Sequence, residues 1–256
     1  MKKTSYSFML AAVFFSCGGT PEKVDEPVPP MAPDTLETVL YEPIAPELVK
    51  KFGKVKELPF LQDSLYLQKV SEKMKFPLTA VEVKYLTQDF VESDAVPSAH
   101  HQLTDYFGID SIIASGEKNA VFQAEEEGYI VVHSQAAAAT AVKLNDSTTV
   151  LFWVINYHSA ADSNPYARGT VLYASLLLNN AVTSCVAVGE DAENKDAPYW
   201  SETLTQCSFI TDTLTTQRIL TDGGETDDTG EEIINTLSSK YVFETTGGIW
   251  HVVKIE

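Results

Sequence analysis

Acidic and aromatic residues occur together in three polar segments of the second half of the chain, and this combination can bind a polar ligand. Six of them are our candidate binding residues: Tyr166, Tyr199, Trp200, Asp191, Asp227 and Asp228. Carboxylates accept hydrogen bonds from hydroxyl groups, and aromatic rings offer flat apolar surfaces with a polar edge. The pattern therefore favours a glycan or another polar ligand.

Two other interpretations of these acidic segments stay open. Clustered carboxylates can bind calcium, which prefers six to eight oxygen ligands. The run Asp222-Gly-Gly-Glu-Thr-Asp does not follow the order of a calcium-binding loop, however. The acids can also be solvated surface residues, with Trp200 packed back on the sheet. Apart from calcium, the sequence points to no cofactor.

The chain contains none of the short motifs that identify common catalytic sites. Gly-x-Ser-x-Gly, His-Glu-x-x-His, a phosphate-binding glycine loop and a dinucleotide fingerprint do not occur. His101 and Asp105 stand four residues apart on a predicted helix, a spacing that is frequent by chance, so we assign them a solvent-facing or capping role. His133 and His251 lie in predicted strands beside polar groups. We predict a non-catalytic protein and keep a hydrolase of glycan or peptide as the alternative.

Cys17, Cys185 and Cys207 are the three cysteines of the chain. Cys185 and Cys207 are predicted to form a disulfide. They would be directly opposite if the strand after Trp200 folded back with its centre near Asp196. An exported location would allow such a bridge, and two buried free thiols are the alternative.

The first seventeen residues have the pattern of an export signal. Two lysines give a positive start, residues 8–15 are apolar, and small Ser16 precedes Cys17. The segment resembles the signal peptide of bacterial lipoproteins, whose leader is cut before a cysteine that then carries lipid; Phe14 stands where leucine is usual. The resemblance implies that Cys17 is lipidated and anchors the protein to a membrane. An ordinary secretory signal is the alternative.

The residue after this cysteine is Gly18, and in this position the chain resembles lipoproteins that are passed on to the outer membrane. We therefore expect an outer-membrane lipoprotein that faces the periplasm or the cell surface. Removal of residues 1–16 takes two of the 18 basic residues and leaves 16 against 36 acidic ones, a formal charge of −20. Such a charge disfavours nucleic acid and anionic headgroups, whereas a glycan or an envelope protein stays compatible.

Composition divides the chain into four segments. Residues 1–16 are the signal peptide, and residues 17–34 combine the lipidated cysteine with a proline-rich tether. Residues 35–108 show short helical patterns with one apolar stripe each, so these helices should pack on a larger element. Residues 109–256 are rich in β-branched and aromatic residues and are predicted to form that element, an antiparallel β domain. The predicted helices begin near Pro46, Asp63, Thr79 and Ser98.

The predicted fold class is mainly β (α+β), an antiparallel meander or sandwich-like sheet preceded by several short helices. A small propeller-like all-β fold is the alternative. Residues 148–158 and 170–178 are apolar on both alternating faces, as expected for central strands. Hairpin turns are predicted at Asn145-Asp146, Asn179-Asn180 and Gly247-Gly248.

Three long connections, residues 159–169, 189–200 and 221–231, alternate with short turns along the predicted strands. In an up-and-down sheet successive connections lie at opposite ends, so these three loops should gather at one end. They contain all six candidate binding residues. Loops on a rigid scaffold commonly carry function, and the sequence thus predicts a ligand-binding or protein-binding end of the sheet.

Overall fold

Short helices and short strands alternate in the first part of the folded chain. The computed structural model describes residues 41–62, 64–114, 122–123, 130–160, 166–211, 213–226 and 229–255, which belong to one unit. The signal-peptide and tether predictions, with Cys17, lie outside these residues. The helices are α1 (Pro46–Lys51), α2 (Ser64–Lys73), α3 (Ala80–Leu86) and α4 (Ala99–Ala114). The short strands are β1 (Phe60–Gln62), β2 (Pro77–Leu78), β3 (Phe90–Val91) and β4 (Phe122–Gln123).

The helix starts agree with the sequence predictions. Pro46 opens α1, and Thr79 and Glu82 form a capping box at the start of α3. The end of α4 differs, because the helix runs through Gly108 to Ala114 instead of stopping at the glycine. Ile109 is 2% exposed and continues the apolar side of the helix, which offsets the roughly 1 kcal/mol cost of an internal glycine. None of the described helices is long and apolar enough to cross a membrane.

Eight long strands among the described residues build the sheet. They are β5 (Ile130–Lys143), β6 (Thr148–Ser159), β7 (Tyr166–Leu178), β8 (Ala181–Asp196), β9 (Tyr199–Phe209), β10 (Leu214–Thr226), β11 (Glu232–Thr246) and β12 (Ile249–Lys254). Each long strand pairs antiparallel with the next, in the order β12-β11-β10-β9-β8-β7-β6-β5, with β2 beside β5. The predicted antiparallel meander is thereby confirmed, and the described strands form one open sheet instead of a propeller.

The predicted turns set the register of the hairpins. Asn179-Asn180 and Gly247-Gly248 all have positive φ, between 50° and 82°, as a two-residue turn that matches the strand twist requires. The glycine turn places Phe243 opposite Val252. The hairpin predicted at Asn145-Asp146 forms with a longer connection, residues 144–147. One side of the last hairpin is a buried aromatic cluster of Tyr241, Phe243 and Trp250.

The sheet has a buried half and an open half. In β8, every residue from Ala181 to Glu190 is buried, whereas Asp191 to Asp196 are exposed or half-buried. We call the strand ends near the Asn179-Asn180 and Gly247-Gly248 turns the buried half, and the opposite ends the open half.

Each face of the buried half is covered by different elements. On one face, which we call the helix face, the Tyr173 hydroxyl donates to the Ala99 carbonyl of α4 at 2.9 Å. On the other face, the ring of Phe60 in β1 lies 4.4 Å from that of Phe152. This second face also receives Trp250, whose indole N–H donates to the Ala174 carbonyl at 3.1 Å. Apolar burial on both faces makes this half the core of the protein.

Cys185 and Cys207 are buried free thiols, which contradicts the predicted disulfide. The turn that joins β8 to β9 is Ala197-Pro198, so the register differs from the predicted one. β8 and β9 also separate before they reach the cysteines. Cys207 lies opposite Gln62 of β1, and Cys185 lies opposite Ser175 of β7.

Candidate functional site

A cleft of about 1030 Å³ lies on the open half of the sheet, on the face that contacts α2. Strands β6 to β10 form its floor, and Gln68, Ser71 and Glu72 of α2 line one side. Neighbouring strands lie about 4.8 Å apart, so a floor of five strands is roughly 19 Å across. The cleft therefore has room for an extended ligand.

The three predicted long loops are largely strand. β8 continues to Asp196 and β9 begins at Tyr199, while β10 continues to Thr226. Asp, Asn and Gly have low strand propensity, but backbone pairing with a neighbour on each side outweighs that preference. Within the described residues the three segments do lie at one end of the sheet, as predicted, and there they form a floor instead of loops.

Side chains on this floor form rows across the strands, because neighbouring strands are paired and residues two apart on a strand face the same side. The central row is His133, His158, Arg168, Glu193, Glu202 and Thr221. The row nearer the buried half is Asn156, Thr170, Asp191, Leu204 and Ile219. The floor is thus mainly polar, unlike the apolar strands of the core.

Charges in the central row are only partly compensated. Glu193 contacts Lys195, and it pairs with Arg168 at 2.5 Å; hydrogen bonds from these two cations lower its pKa. Glu202 lies directly opposite Glu193, an arrangement of like charges that is unfavourable. Glu202 forms no ion pair with any described residue. Its carboxylate is therefore available to a ligand.

Asp191, a predicted binding residue, lies on the cleft floor. Burial raises the pKa of this carboxyl, and the charge of Glu202 raises it further, whereas Arg168 lowers it. Asp191 and Glu202 are diagonal neighbours on β8 and β9. Two electrostatically coupled carboxyls thus share one cleft.

Hydrogen bonds join α2, the wall of the cleft, to the strands of its floor. The side-chain amide of Asn156 donates to the Ser71 hydroxyl of α2 at 2.7 Å and to the Thr170 hydroxyl at 3.0 Å. These bonds hold α2 beside β6 and β7. A ligand would meet a cleft that is already formed, which lowers the ordering cost of binding.

Two histidines stack at the end of the central row. The rings of His133 and His158 lie 4.9 Å apart at an interplanar angle of 13°. The Nδ1 atom of His158 lies 3.1 Å from the Ser159 carbonyl. Burial lowers the pKa of His133, and the neighbouring His158 lowers it further. His133 is therefore favoured in its neutral form at neutral pH.

The structure separates the three predicted aromatic residues. Tyr166 lines the cleft, whereas Tyr199 and Trp200 line a smaller hollow of about 270 Å³ at the β8–β9 turn. Trp200 packs on Gly223, where an added Cβ would lie 2.8 Å from the indole ring, and its N–H donates to Glu232 at 2.6 Å. Trp200 thus packs back on the sheet, the alternative interpretation of this residue. Tyr199 is 51% exposed.

Asp227 and Asp228 lie outside the described residues. Within the part of the chain that the structure describes, no three or more His, Cys, Asp or Glu residues are grouped so that they could hold a metal ion. The calcium hypothesis therefore gains no support from the described acids.

Several floor residues are not among the six candidate binding residues predicted from the sequence. They are Asn156, Arg168, Thr170, Glu193 and Glu202. The available signal was the polar alternation of Asn156 and His158, continued at equivalent spacing on the next strands. Arg168 and Glu193 were missed because their segments were predicted as loops, in which side chains share no face. Asn156, Thr170 and Glu202 lie outside the predicted loops, and the strands there were identified by their apolar residues.

No family model, curated protein or solved structure matches this chain. No relative therefore supplies a ligand or a reaction for the cleft.

Proposed function

We propose that this chain is a lipoprotein of the bacterial outer membrane, anchored through Cys17, whose folded part binds a neutral glycan in the cleft. The signal-peptide pattern supports the anchor, and the glycine that follows the cysteine supports the outer membrane. The protein faces either the periplasm or the cell surface. It acts as a binding module.

The polar rows on the open floor carry the proposal for the ligand. Acids outnumber cations among the lining residues: Glu72, Asp191, Glu193 and Glu202 against Arg168. Such a floor repels polyanions but offers acceptors for sugar hydroxyl groups, and Tyr166 adds an aromatic ring. The length of the floor suits a chain of several sugar rings.

A binding assay on the soluble form, residues 18–256, tests the cleft. Isothermal titration against a panel of neutral envelope oligosaccharides should give binding that Glu202→Gln and Tyr166→Ala each weaken by about tenfold, or 1.4 kcal/mol. The matched controls are Glu244→Gln on β11 and Tyr199→Ala at the β8–β9 turn, which lie outside the cleft. Binding that is equally strong in all four variants contradicts the cleft as the site.

A separate experiment tests the anchor. The full chain and a Cys17→Ala variant are expressed in a bacterium that processes lipoproteins, and cell fractions are partitioned with detergent. The wild type should enter the detergent phase, with lipid on its amino-terminal peptide by mass spectrometry, and the variant should not. An unmodified Cys17 or a retained leader contradicts the proposal.

A hydrolase of glycan is the second candidate, favoured by Asp191 and Glu202. Diagonal residue positions of an antiparallel pair lie about 7–8 Å apart. Side chains of this kind can place their carboxyl groups at the roughly 6.5–9.5 Å that separates acid and base in inverting glycosidases. Asp191, whose pKa is raised, would be the acid and Glu202 the base that activates water. The wild type would then release new reducing ends from an oligosaccharide, and the Asp191→Asn and Glu202→Gln variants would not. Oligosaccharides that stay intact with the wild type would contradict the hydrolase and support the binding module.

A further inference from the structure

A second cavity, of about 290 Å³, lies on the helix face beneath the first turn of α4. Its lining includes Ser98, which directly precedes α4, and Gln102 of α4 together with Glu190, Asn194, Thr203 and Arg218 of the sheet. Glu190 and Asp191 are consecutive on β8 and point to opposite faces, so this cavity is distinct from the cleft.

Glu190 is a carboxyl in the protein interior. Its side chain is 3% exposed. Among the described residues its one side-chain hydrogen-bond partner is the Ser98 hydroxyl, which donates to it. Burial raises the pKa of Glu190 to about 7, although Ser98 and Arg218 act in the opposite direction. A buried carboxyl with one hydrogen bond has unused acceptor capacity.

Arg218 lines the same cavity without touching Glu190. The two residues belong to one cross-strand row, with Thr205 of β9 between them. Arg218 forms no ion pair with a described residue, and its buried Nε has no hydrogen-bond partner among them. Thr205 cannot bridge the gap with its proton, because its hydroxyl donates to the Ala95 carbonyl at 3.2 Å.

This separation leaves the buried Nε of Arg218 without a partner among the described residues and Glu190 with one hydrogen bond, from Ser98. A buried donor or acceptor without a partner costs about 1–3 kcal/mol, and more when it is charged. The backbones of residues two strands apart in a row are separated by roughly 9.6 Å across the sheet. A molecule that carries one group of each sign can occupy this gap and pair with both side chains.

We propose that the Glu190–Arg218 cavity binds a small zwitterion of amino-acid size, whose carboxylate pairs with Arg218 and whose ammonium group pairs with Glu190. Ser98, Gln102 and Asn194 surround these two groups with further hydrogen-bonding side chains. The volume of about 290 Å³ lies just below the roughly 300–1,000 Å³ of ligand pockets, which suits a free amino acid or a dipeptide. Both carry one terminal ammonium group and one terminal carboxylate.

Isothermal titration of the soluble form, residues 18–256, tests this site with glycine, L-alanine, L-glutamate, L-lysine and L-alanyl-L-alanine as probes. At least one probe should bind at millimolar concentration. N-acetyl-L-alanine and L-alaninamide each lack one of the two charges and should bind about tenfold more weakly. Tighter binding of the dipeptide would identify a peptide as the source, and tighter binding of a single residue would identify a free amino acid.

Substitutions inside and outside the Glu190–Arg218 cavity test where the probe binds. Arg218→Gln and Glu190→Gln should each weaken the best probe by about tenfold or more, while circular dichroism shows a retained fold. Lys84→Gln on α3 and Glu244→Gln on β11 remove charges outside the cavity and should leave the affinity unchanged. The proposal is overturned if no probe binds, if the singly charged analogues bind as well as L-alanine, or if Arg218→Gln binds like the wild type.

Discussion

The two halves of the sheet share one backbone ladder but differ in what covers it. In the buried half, α3 and α4 cover one face of β6 to β8, while β1 and the last hairpin cover the other. In the open half the same strands carry polar side chains, and the cleft floor faces solvent. Backbone pairing is sufficient to continue a strand into the open half. Apolar burial on both faces stabilises the strands of the buried half.

The boundary between the halves coincides with the candidate sites. Glu190 is the last buried residue of β8, and Asp191 is the first residue beyond it. The cleft uses one face of the open half, and the smaller cavity uses the other face at the boundary. Stability and ligand binding are thus assigned to different parts of the same strands.

Substitution of a core tryptophan should have the largest effect on stability. Trp250 is 1% exposed, and its backbone N–H also bonds the Ser184 hydroxyl. We expect Trp250→Ala to lower the free energy of unfolding by about 3–5 kcal/mol. Leu237→Ala, in the open half, removes a side chain that is 61% exposed and should change it by no more than about 0.5 kcal/mol. Urea denaturation of both variants measures the difference, and equal losses would contradict the division into halves.

The boundary residue Glu190 should make stability depend on pH. Its pKa is about 7 in the folded protein against an ordinary value of 4.5, so the folded state holds the proton more tightly than the unfolded state. The free energy of unfolding therefore falls as pH rises from 4.5 through 7. We expect Glu190→Gln to be more stable than the wild type at pH 8, by up to about 3 kcal/mol. The two proteins should be similar at pH 4.

Urea denaturation across this pH range measures that difference. Glu202→Gln in the cleft is the matched control, because it removes an exposed carboxyl of the open half. A constant difference between Glu190→Gln and the wild type at every pH would rule out titration of Glu190 as its cause.

The reactivity of the two cysteine thiols tests whether they are buried and free in the folded protein. Cys185 is 0% exposed and Cys207 is 3% exposed, and burial raises the pKa of both thiols, to about 12 for Cys185. The thiolate is the reactive form. In the soluble form without reductant, we expect iodoacetamide to label neither thiol in the folded protein and both in guanidinium. A disulfide, detected as unlabelled cysteines in the unfolded protein, would contradict the structure.

The stacked histidines should give the smallest effect, in the open half. Burial and His158 lower the pKa of His133, so the folded state binds this proton less tightly than the unfolded state. The free energy of unfolding should therefore decrease as pH falls below 6.5. The His133→Gln variant should lose less stability over this pH range than the wild type. His251→Gln, on exposed β12, is the control. Nuclear magnetic resonance titration of the imidazoles checks the direction, and a raised pKa for His133 would contradict it.

Local signals in the sequence predicted much of the secondary structure. The alternation of apolar residues identified most of the long strands, and the capping box at Thr79 identified the start of α3. The glycine pair Gly247-Gly248 predicted the turn of the last hairpin, and this turn sets Phe243 opposite Val252. Each of these features depends on residues that are close in the chain, because backbone conformation and capping are decided within a few residues.

Tertiary structure decided how the candidate sites are assembled, although Asp191 and Tyr166 of the cleft were predicted from the sequence. The segments predicted as long loops became strands because partners on both sides paired with them. The cysteines were parted because β1, far earlier in the chain, pairs with β9 at Cys207. The His133–His158 stack and the gap between Glu190 and Arg218 also join residues from different strands. Such contacts depend on register and packing across the whole sheet, and composition or periodicity within one segment cannot encode them.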